Sequence, residues 1–448
     1  MTYETLAAAL QDAIVQNDQA AWPALVAELN PADLADVLAA IDQPEQVIGV
    51  LQVMTLEQRA DTFGYLSMNL QQAIAERMSP GDLAELVTAM SADERADLFN
   101  ELDDKIRYAL FKRLAREERE DLRRLASYEE GSAGAIMTSD YAVVQSGMTV
   151  ARALESLRRT APDKETIYQA FIVDDDHRLL GAVSLRQLIV ATPNVRVDDL
   201  MAREVVSATT DTAQEEVARL ISRYDLLALP IVNGGEKLVG IVTYDDAMDV
   251  AEAEATEDMH KGATVGKLET SLREATPYAL YRSRVHWLVI LVFANIFTGA
   301  GIAYFEDTIA AHLALLFFMP LLVASAGNAG AQSATLMVRG IATGDVTGSD
   351  WAKLFFKDIL VASALGLTMS AAVLMVGFFR AGIDIAIVVA LTMIIVVLVG
   401  SLIGMGLPFI LNKLNFDPAT ASTPLITTIA DVSGVLIYFG IATAVLGL

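Results

Sequence analysis

The 448-residue sequence has no cysteine, only four histidines and three tryptophans, and 32 lysines and arginines against 57 aspartates and glutamates. Without cysteine there are no disulfides and no thiolate metal sites, although this alone leaves the compartment open. His177, His260, His286 and His312 are scattered singly and read as solvated or interfacial side chains rather than ligands. The shortage of bases leaves no basic groove or arm to neutralise phosphates, so nucleic-acid binding is not expected. The stretch MTYETLAAALQDAIVQ lacks a basic n-region and a continuous apolar h-region, and does not read as a cleaved signal peptide.

What is present divides sharply. Residues 285 to 448 hold eight acids and five bases, a charge of about −3, so residues 1 to 284 carry about −22. An acidic body is joined to an apolar tail. In the body, LNPADLADVL (29–38) resembles MSPGDLAELV (78–87), and MTLEQRADTF (54–63) resembles MSADERADLF (90–99). Each begins with an apolar residue, a candidate Asn, Ser or Thr N-cap, and acids that complement the helix dipole, which predicts a small helical superhelix to about residue 128. From about 131 to 250 the period changes. FIVDDDHRLLGAVSLRQLI (171–189) is echoed by PIVNGGEKLVGIVTYDDAM (230–248), predicting two α/β repeats with a cleft between them. The polar, alanine-rich stretch after Val250 reads as a connecting helix.

Five long segments of the tail (285–305, 308–338, 359–379, 385–412 and 418–448) lack charged residues apart from Asp431. Each exceeds the roughly 20 residues a helix needs to cross a bilayer. Placing Arg282, Arg284, Arg339, Lys353, Lys357 and Lys413 on the cytoplasmic side leaves Arg380 outside, which predicts a cytoplasmic N-terminus and an external C-terminus. An acid within a span costs about 2.5 to 3.5 kcal/mol on insertion scales and marks a functional site by default. Asp431 is flanked by Thr427, Thr428, Ser433 and Gly434, with Pro424 near the segment start. The second segment, PLLVASAGNAGAQSATLMVRG, carries Pro320, Gly327, Asn328 and Gly330, which are expected to break its helix and, with Asn328 and Gln332, to offer an oxygen-rich lining; small-residue helix packing is the alternative for the glycines. One carboxylate with carbonyl and amide oxygens suits a hard cation, and Mg²⁺, which keeps several waters, needs only one carboxylate per subunit if two subunits meet across a pore.

Asp245, Asp246, Asp249, Glu252, Glu254, Glu257 and Asp258 fall within one short run. On a helix such acids repel, so the run is either a solvated face or a sensor that packs only when cations screen it.

Taken together, NPADLADVL, GSAGAIMT, AEATEDMHK, SAGNAGAQSATL and FDPATASTPLITTIADVSGVLIYF make the chain resemble the MgtE family of magnesium channels and transporters over nearly its whole length. The resemblance implies a multidomain membrane protein: an all-α helical superhelix N domain (1–128), an α/β tandem CBS domain pair (129–250), a connecting plug helix (251–273) and a five-helix transmembrane pore domain (274–448). It implies no enzymatic activity, a homodimer in membrane lipid, and residence in the plasma (inner) membrane. Asp431 would be the pore carboxylate for hydrated Mg²⁺, with Gly327 and Thr427 lining the site through their backbone and Asn328 beside it. Glu215, Asp225, Asp246, Asp249, Glu254, Glu257, Asp258 and Asp417 would share regulatory Mg²⁺ ions that hold the pore closed. Ala331 departs from the family pattern G-N-A-G-N-Q at its second Asn, which bears on selectivity against Ca²⁺, Mn²⁺ and Co²⁺. Of the two candidate adenine-nucleotide positions, Thr243 with Asp246 keeps the ribose-binding pair, whereas Ser184 is followed by Gln187. The expected function is therefore passive Mg²⁺ uptake gated by cytosolic Mg²⁺. The competing readings are a CBS-regulated transporter of Co²⁺ or Mn²⁺, or one coupled to Na⁺ exchange, and a membrane-anchored cation or nucleotide sensor.

Overall fold

The computed structural model describes every residue except Met1, Thr2, Asp42, Lys267, Glu269, Thr270, Ser271, Arg273, Glu274, Asn415 and Leu448, together with the side chains of Tyr3 and Asp163. The end of the expected connecting segment, 251–273, thus lies partly outside the described residues. The chain separates into two units, Met1–Glu252 and Ala253–Leu448.

The first unit begins with ten short helices: α1 (Tyr3–Val15), α2 (Trp22–Val26), α3 (Pro31–Ala39), α4 (Pro44–Gln52) and α5 (Leu56–Gly64). They continue as α6 (Met68–Ala75), α7 (Pro80–Ala89), α8 (Ala92–Glu101), α9 (Asp104–Phe111) and α10 (Arg116–Leu125). Their starts follow from the caps read in the sequence. The Asn30 and Ser79 side chains accept from the backbone N–H of Ala32 and Asp82, each followed by a proline whose missing N–H costs nothing in the first turn. Thr55 accepts likewise from Gln58, whereas Ser91 makes no such bond. Helices this short cannot bury an apolar face alone, so alternate helices stack: α3 on α5, α5 on α7, α7 on α9, and α4 on α6, α6 on α8, α8 on α10. Leu34, Leu38, Phe63, Ile74, Leu83 and Leu86 form the spine of that stack.

Two matched α/β repeats follow. The first comprises β1 (Tyr141–Gln145), α11 (Val150–Thr160), β2 (Thr166–Val173), β3 (Leu179–Ser184) and α12 (Leu185–Val190). The second comprises β4 (Ala208–Thr209), α13 (Gln214–Tyr224), β5 (Ala228–Val232), β6 (Leu238–Thr243) and α14 (Tyr244–Gly262). In each sheet the first pairing is parallel and the second antiparallel, with a register shift at Ile172/Val173 and again at Ile231/Val232. The echo read in the sequence is therefore a structural repeat down to its irregularity. Helix α14 runs without interruption from the second repeat through residue 250 to Gly262, since its alanines and glutamates are good helix formers and contain no breaker.

The second unit holds α15 (Pro277–Tyr304), the short α16 (Glu306–Ala311), α17 (Ala314–Ala342), α18 (Trp351–Ala381), α19 (Ile383–Lys413) and α20 (Thr423–Leu446). Five of these are long and apolar enough to cross a membrane. Helix α19 is the hub, packed by α17, α18 and α20, whereas α15 rests mainly on α20 and exposes Leu288, Phe293, Ile296 and Phe297.

One expectation is corrected here. Helix α17 is continuous through Pro320, Gly327, Asn328 and Gly330, not broken. The glycines serve close approach instead. A β-carbon on Gly330 would fall 2.7 Å from the Gly400 carbonyl oxygen, and one on Gly404 would collide with the carbonyl of Gly330. Such small residues let two membrane helices meet backbone to backbone. Pro320 removes one helical N–H, a loss that membrane helices tolerate when neighbours cover the freed carbonyl.

Candidate functional site

The hydroxyls around Asp431 are committed to their own helix. Thr427 and Thr428 donate to the Pro424 carbonyl at 3.0 and 2.8 Å, and Ser433 donates to that of Ile429 at 2.8 Å. The half-buried Asp431 carboxylate consequently has no hydrogen-bond or ion-pair partner among the described residues. Thr427, Asp431 and Gly434 lie at i, i+4 and i+7, on one face of α20. That face meets α17: a β-carbon on Gly327 would touch Thr427 Cγ2 at 3.1 Å, and one on Gly434 would touch Val323 Cγ2 at 3.7 Å. Gly327 and Thr427 are thus brought together. Asn328 is not placed against them; its side chain is exposed, as is that of Gln332.

A second carboxylate within a span was not expected. Helix α18 starts at Trp351, ahead of the charge-free segment at 359–379, and so takes in Asp358. Ser401 of α19 donates to one of its oxygens at 2.9 Å and Ser333 of α17 to the other at 3.2 Å. Unlike Asp431, this acid is satisfied.

In the first unit, Thr243 and Asp246 are joined at the start of α14. The Thr243 hydroxyl donates to Asp246 at 2.5 Å, with the Thr243 N–H at 3.4 Å from the same oxygen. Ser184 and Gln187 form the equivalent pair at α12, at 3.2 and 2.8 Å, so both candidate ribose positions are already bonded within their own turns. Around Asp246 gather acids that sequence reasoning missed: Asp93, Glu94 and Asp97 of α8, and Glu165 at the head of β2. Burial pushes Asp93 well up, and the Asp246 charge adds to it. Burial likewise raises Glu94 and Asp246. Burial, then neighbouring carboxylates led by Glu94, pushes Asp97 up to about 6, and burial with Asp246 pushes Glu165 up to about 7. On the same helix face Asp249 is raised by burial and then by Asp245 and Glu252. In the sequence Asp93, Glu94 and Asp97 stand only as acids of a short helix; the packing of α8 toward Asp246 is what gathers them.

Glu215 lies in the first turn of α13, and Asp225 ends that helix in the left-handed conformation (φ 50°). In the second unit, the C-terminal half of α14 faces the turn before α20. Burial and then the Asp417 charge raise Asp258. Lys261 Nζ lies 2.5 Å from Glu257 Oε1 and 2.6 Å from Asp417 Oδ2. Burial works against its charge, but the hydrogen bonds to Asp417 and Glu257 outweigh burial and raise its pKa. Glu254 lies one turn before Asp258 on the same helix and also has an interaction partner.

Carboxylates and hydroxyls without thiolate or imidazole suit a hard cation. Among the described residues no three acidic or histidine side chains converge into a complete metal-binding group. A cation held by these acids would therefore keep part of its water shell, which Mg²⁺ does readily.

Comparison with known proteins is consistent along the chain. The family described as MgtE, divalent cation transporter, matches residues 319–441, the MgtE intracellular N domain matches 29–131, and CBS domains match 133–193 and 197–253. The magnesium transporter MgtE of Thermus thermophilus is 40% identical, covering 99% of both chains, and that of Bacillus subtilis is 34% identical, covering 94% of this chain and 93% of its own. The crystal structure of the cytosolic domain of the Mg²⁺ channel MgtE in complex with ATP covers 55% of this chain and 99% of its own, with 39% identity and a TM-score of 0.52. That of the soluble part of a magnesium transporter covers 57% of this chain and 100% of its own, at 29% identity and the same TM-score of 0.52.

Proposed function

The chain belongs to the MgtE family of divalent cation transporters, and from that premise we propose that it is a homodimeric Mg²⁺ channel, closed by Mg²⁺ bound to its acidic regions. The observation that carries this reading is Asp431, a carboxylate inside a span whose neighbouring hydroxyls are all bonded elsewhere. A structural acid would be expected to have a partner, as Asp358 does. An unpartnered one has free oxygens to offer to the waters of a hydrated cation, and two copies across a dimer axis would neutralise a divalent charge. Gly327 and Thr427, close together at this level, would supply carbonyl oxygens, while Asn328 is exposed on α17.

For a divalent ion the membrane potential contributes about 4.6 kcal/mol per 100 mV, so inward flow needs no coupled energy source. The bases flanking the spans support a cytoplasmic N-terminus and an external C-terminus in the inner membrane. On that side burial raises Asp93, Asp97, Glu165 and Asp246, with neighbouring carboxylates adding to it, and closure would follow when Mg²⁺ supplies positive charge to them. Asp249, Glu215 and Asp225 in the first unit, and Glu254, Glu257, Asp258 and Asp417 in the second, would be further ligands for regulatory Mg²⁺. An adenine nucleotide at Thr243 and Asp246 would have to replace the bond between them and would compete with cations for Asp246.

The test is flux through the purified chain in liposomes. Asp431→Asn should lower Mg²⁺ flux at least tenfold while leaving a folded, membrane-inserted dimer. Undiminished flux would refute the pore assignment, and no flux from the native chain under any Mg²⁺ condition would favour a membrane-anchored sensor. Because Ala331 removes an amide beside this region, Co²⁺ and Mn²⁺ belong in the same assay as competitors.

A further inference from the structure

The regulatory reading of α14 requires Glu257 and Asp417 to turn toward a shared cation, and the structure already provides one. Lys261 Nζ sits between them, 2.5 Å from Glu257 Oε1 and 2.6 Å from Asp417 Oδ2. Glu257 precedes Lys261 by one helical turn, and Asp417 comes from the turn before α20, so the ammonium bridges two elements as a divalent cation would. One Asp417 oxygen faces Lys261; the other is taken by the Ala419 N–H at 2.8 Å. Neither acid can bind a divalent ion directly through the oxygen facing Lys261 until the ammonium moves.

The setting permits that exchange. All three side chains are about one-third exposed, so water and ions reach the site and the ammonium has a route out. A lysine carries its charge on a flexible four-carbon stem and is strongly hydrated when released. Asp258 and Glu254 lie beside the pair, so release of the ammonium leaves a concentrated negative field that attracts a divalent ion more strongly than a monovalent one.

We propose that Lys261 is a tethered competitor of the regulatory cation, setting the Mg²⁺ concentration at which the Glu257–Asp417 site loads. The proposal rests on the regulatory reading above and adds to it the residue that tunes its threshold. Lys261 holds the two acids in place at low Mg²⁺ and is displaced at high Mg²⁺. Partly exposed pairs of this kind are worth up to about 1 kcal/mol, which corresponds to a shift of about two- to fivefold in the loading concentration.

The experiment uses the full-length chain in liposomes, with Mg²⁺ itself as the probe, and reads the Mg²⁺ concentration on the α14 side that halves flux. Lys261→Met keeps the stem and removes the charge; it should lower that concentration about two- to fivefold. Lys261→Arg, whose fork grips carboxylates more firmly, should raise it. An unchanged or raised concentration in Lys261→Met overturns the proposal, and a raised one would identify the pair as a lock that closes the channel by itself. If Lys261→Met fails to fold, Lys261→Arg decides, and an unchanged or lowered concentration refutes the idea. Glu257→Gln and Asp417→Asn separate the two levels. If neither raises the half-closing concentration, the regulatory site is refuted and the proposal falls with it; if they raise it while the lysine variants do nothing, only the competitor role is lost.

Discussion

Ser401 of α19 donates to Asp358 of α18 at 2.9 Å, while the other oxygen of the same carboxylate accepts from Ser333 of α17 at 3.2 Å. A single acid thereby ties three spans at one level. Asp358→Ala should lower stability in detergent by about 1 to 2 kcal/mol, since interhelical hydrogen bonds in membranes average about 0.6 kcal/mol each. Asp358→Asn, which keeps one acceptor, should lose roughly half as much. Thermal unfolding of the three proteins measures this, and equal stability would show the carboxylate to be idle.

Asp431 stands in the opposite situation, and its replacement should have the opposite sign. Removing an unpartnered charge from a span relieves a cost of about 2.5 to 3.5 kcal/mol on insertion scales, less whatever the amide still pays. Asp431→Asn is therefore expected to be at least as stable as the native chain while conducting far less. A variant both unstable and inactive would mark Asp431 as a structural residue.

The approach of α17 to α19 yields a paired expectation. A β-carbon on Gly330 would lie 2.7 Å from the Gly400 carbonyl oxygen and 2.8 Å from Ile426 Cγ2, and neither a backbone nor a buried isoleucine yields easily. Gly330→Ala should cost about 1 to 3 kcal/mol. Gly406, in α19 as well, has nothing within 4 Å of such a carbon, and Gly406→Ala should be neutral or stabilising. Similar unfolding temperatures for the two variants would contradict the close packing.

These sites differ in how far the sequence reveals them. The caps at Asn30, Thr55 and Ser79 were legible because a capping side chain and the N–H it satisfies are two or three residues apart. The strand pairs β2–β3 and β5–β6 were legible because each is a local hairpin repeated once. Long charge-free runs announced the five spans. Gly330 was ambiguous, since a glycine in a membrane helix signals either a break or a close neighbour, and the neighbour, Gly400, is far along the chain. Asp358 was hidden by the same charge-free rule that found the spans, because such a window stops at the first acid while the helix does not. Asp93, Asp97 and Glu165 were hidden because their burial beside Asp246 is a product of tertiary packing.

That buried cluster should give the chain an unusual pH dependence. Burial and then neighbouring negative charge push Asp97 up to about 6 from the ordinary carboxyl value of 3.8, and Glu165 up to about 7 from 4.5. Since these folded values lie above the unfolded ones, the folded state holds more protons than the unfolded state between about pH 4 and 7. The stabilisation is complete below about pH 4 and is lost as pH rises through 6 to 7. Most proteins lose stability toward acid; a fragment of residues 1 to 252 without divalent cations should instead unfold several degrees lower at pH 8 than at pH 5.5. Mg²⁺ binds only the ionised acids, so it should restore the unfolding temperature at pH 8 and have little effect at pH 5.5. Asp97→Asn should flatten both responses, because it removes one of the charges that must be screened. Unfolding scans at the two pH values, with Mg²⁺ and with chelator, measure all of this. A pH 8 fragment that is as stable with chelator as with Mg²⁺ would mean that the acids Asp93, Asp97, Glu165 and Asp246 do not sense the cation.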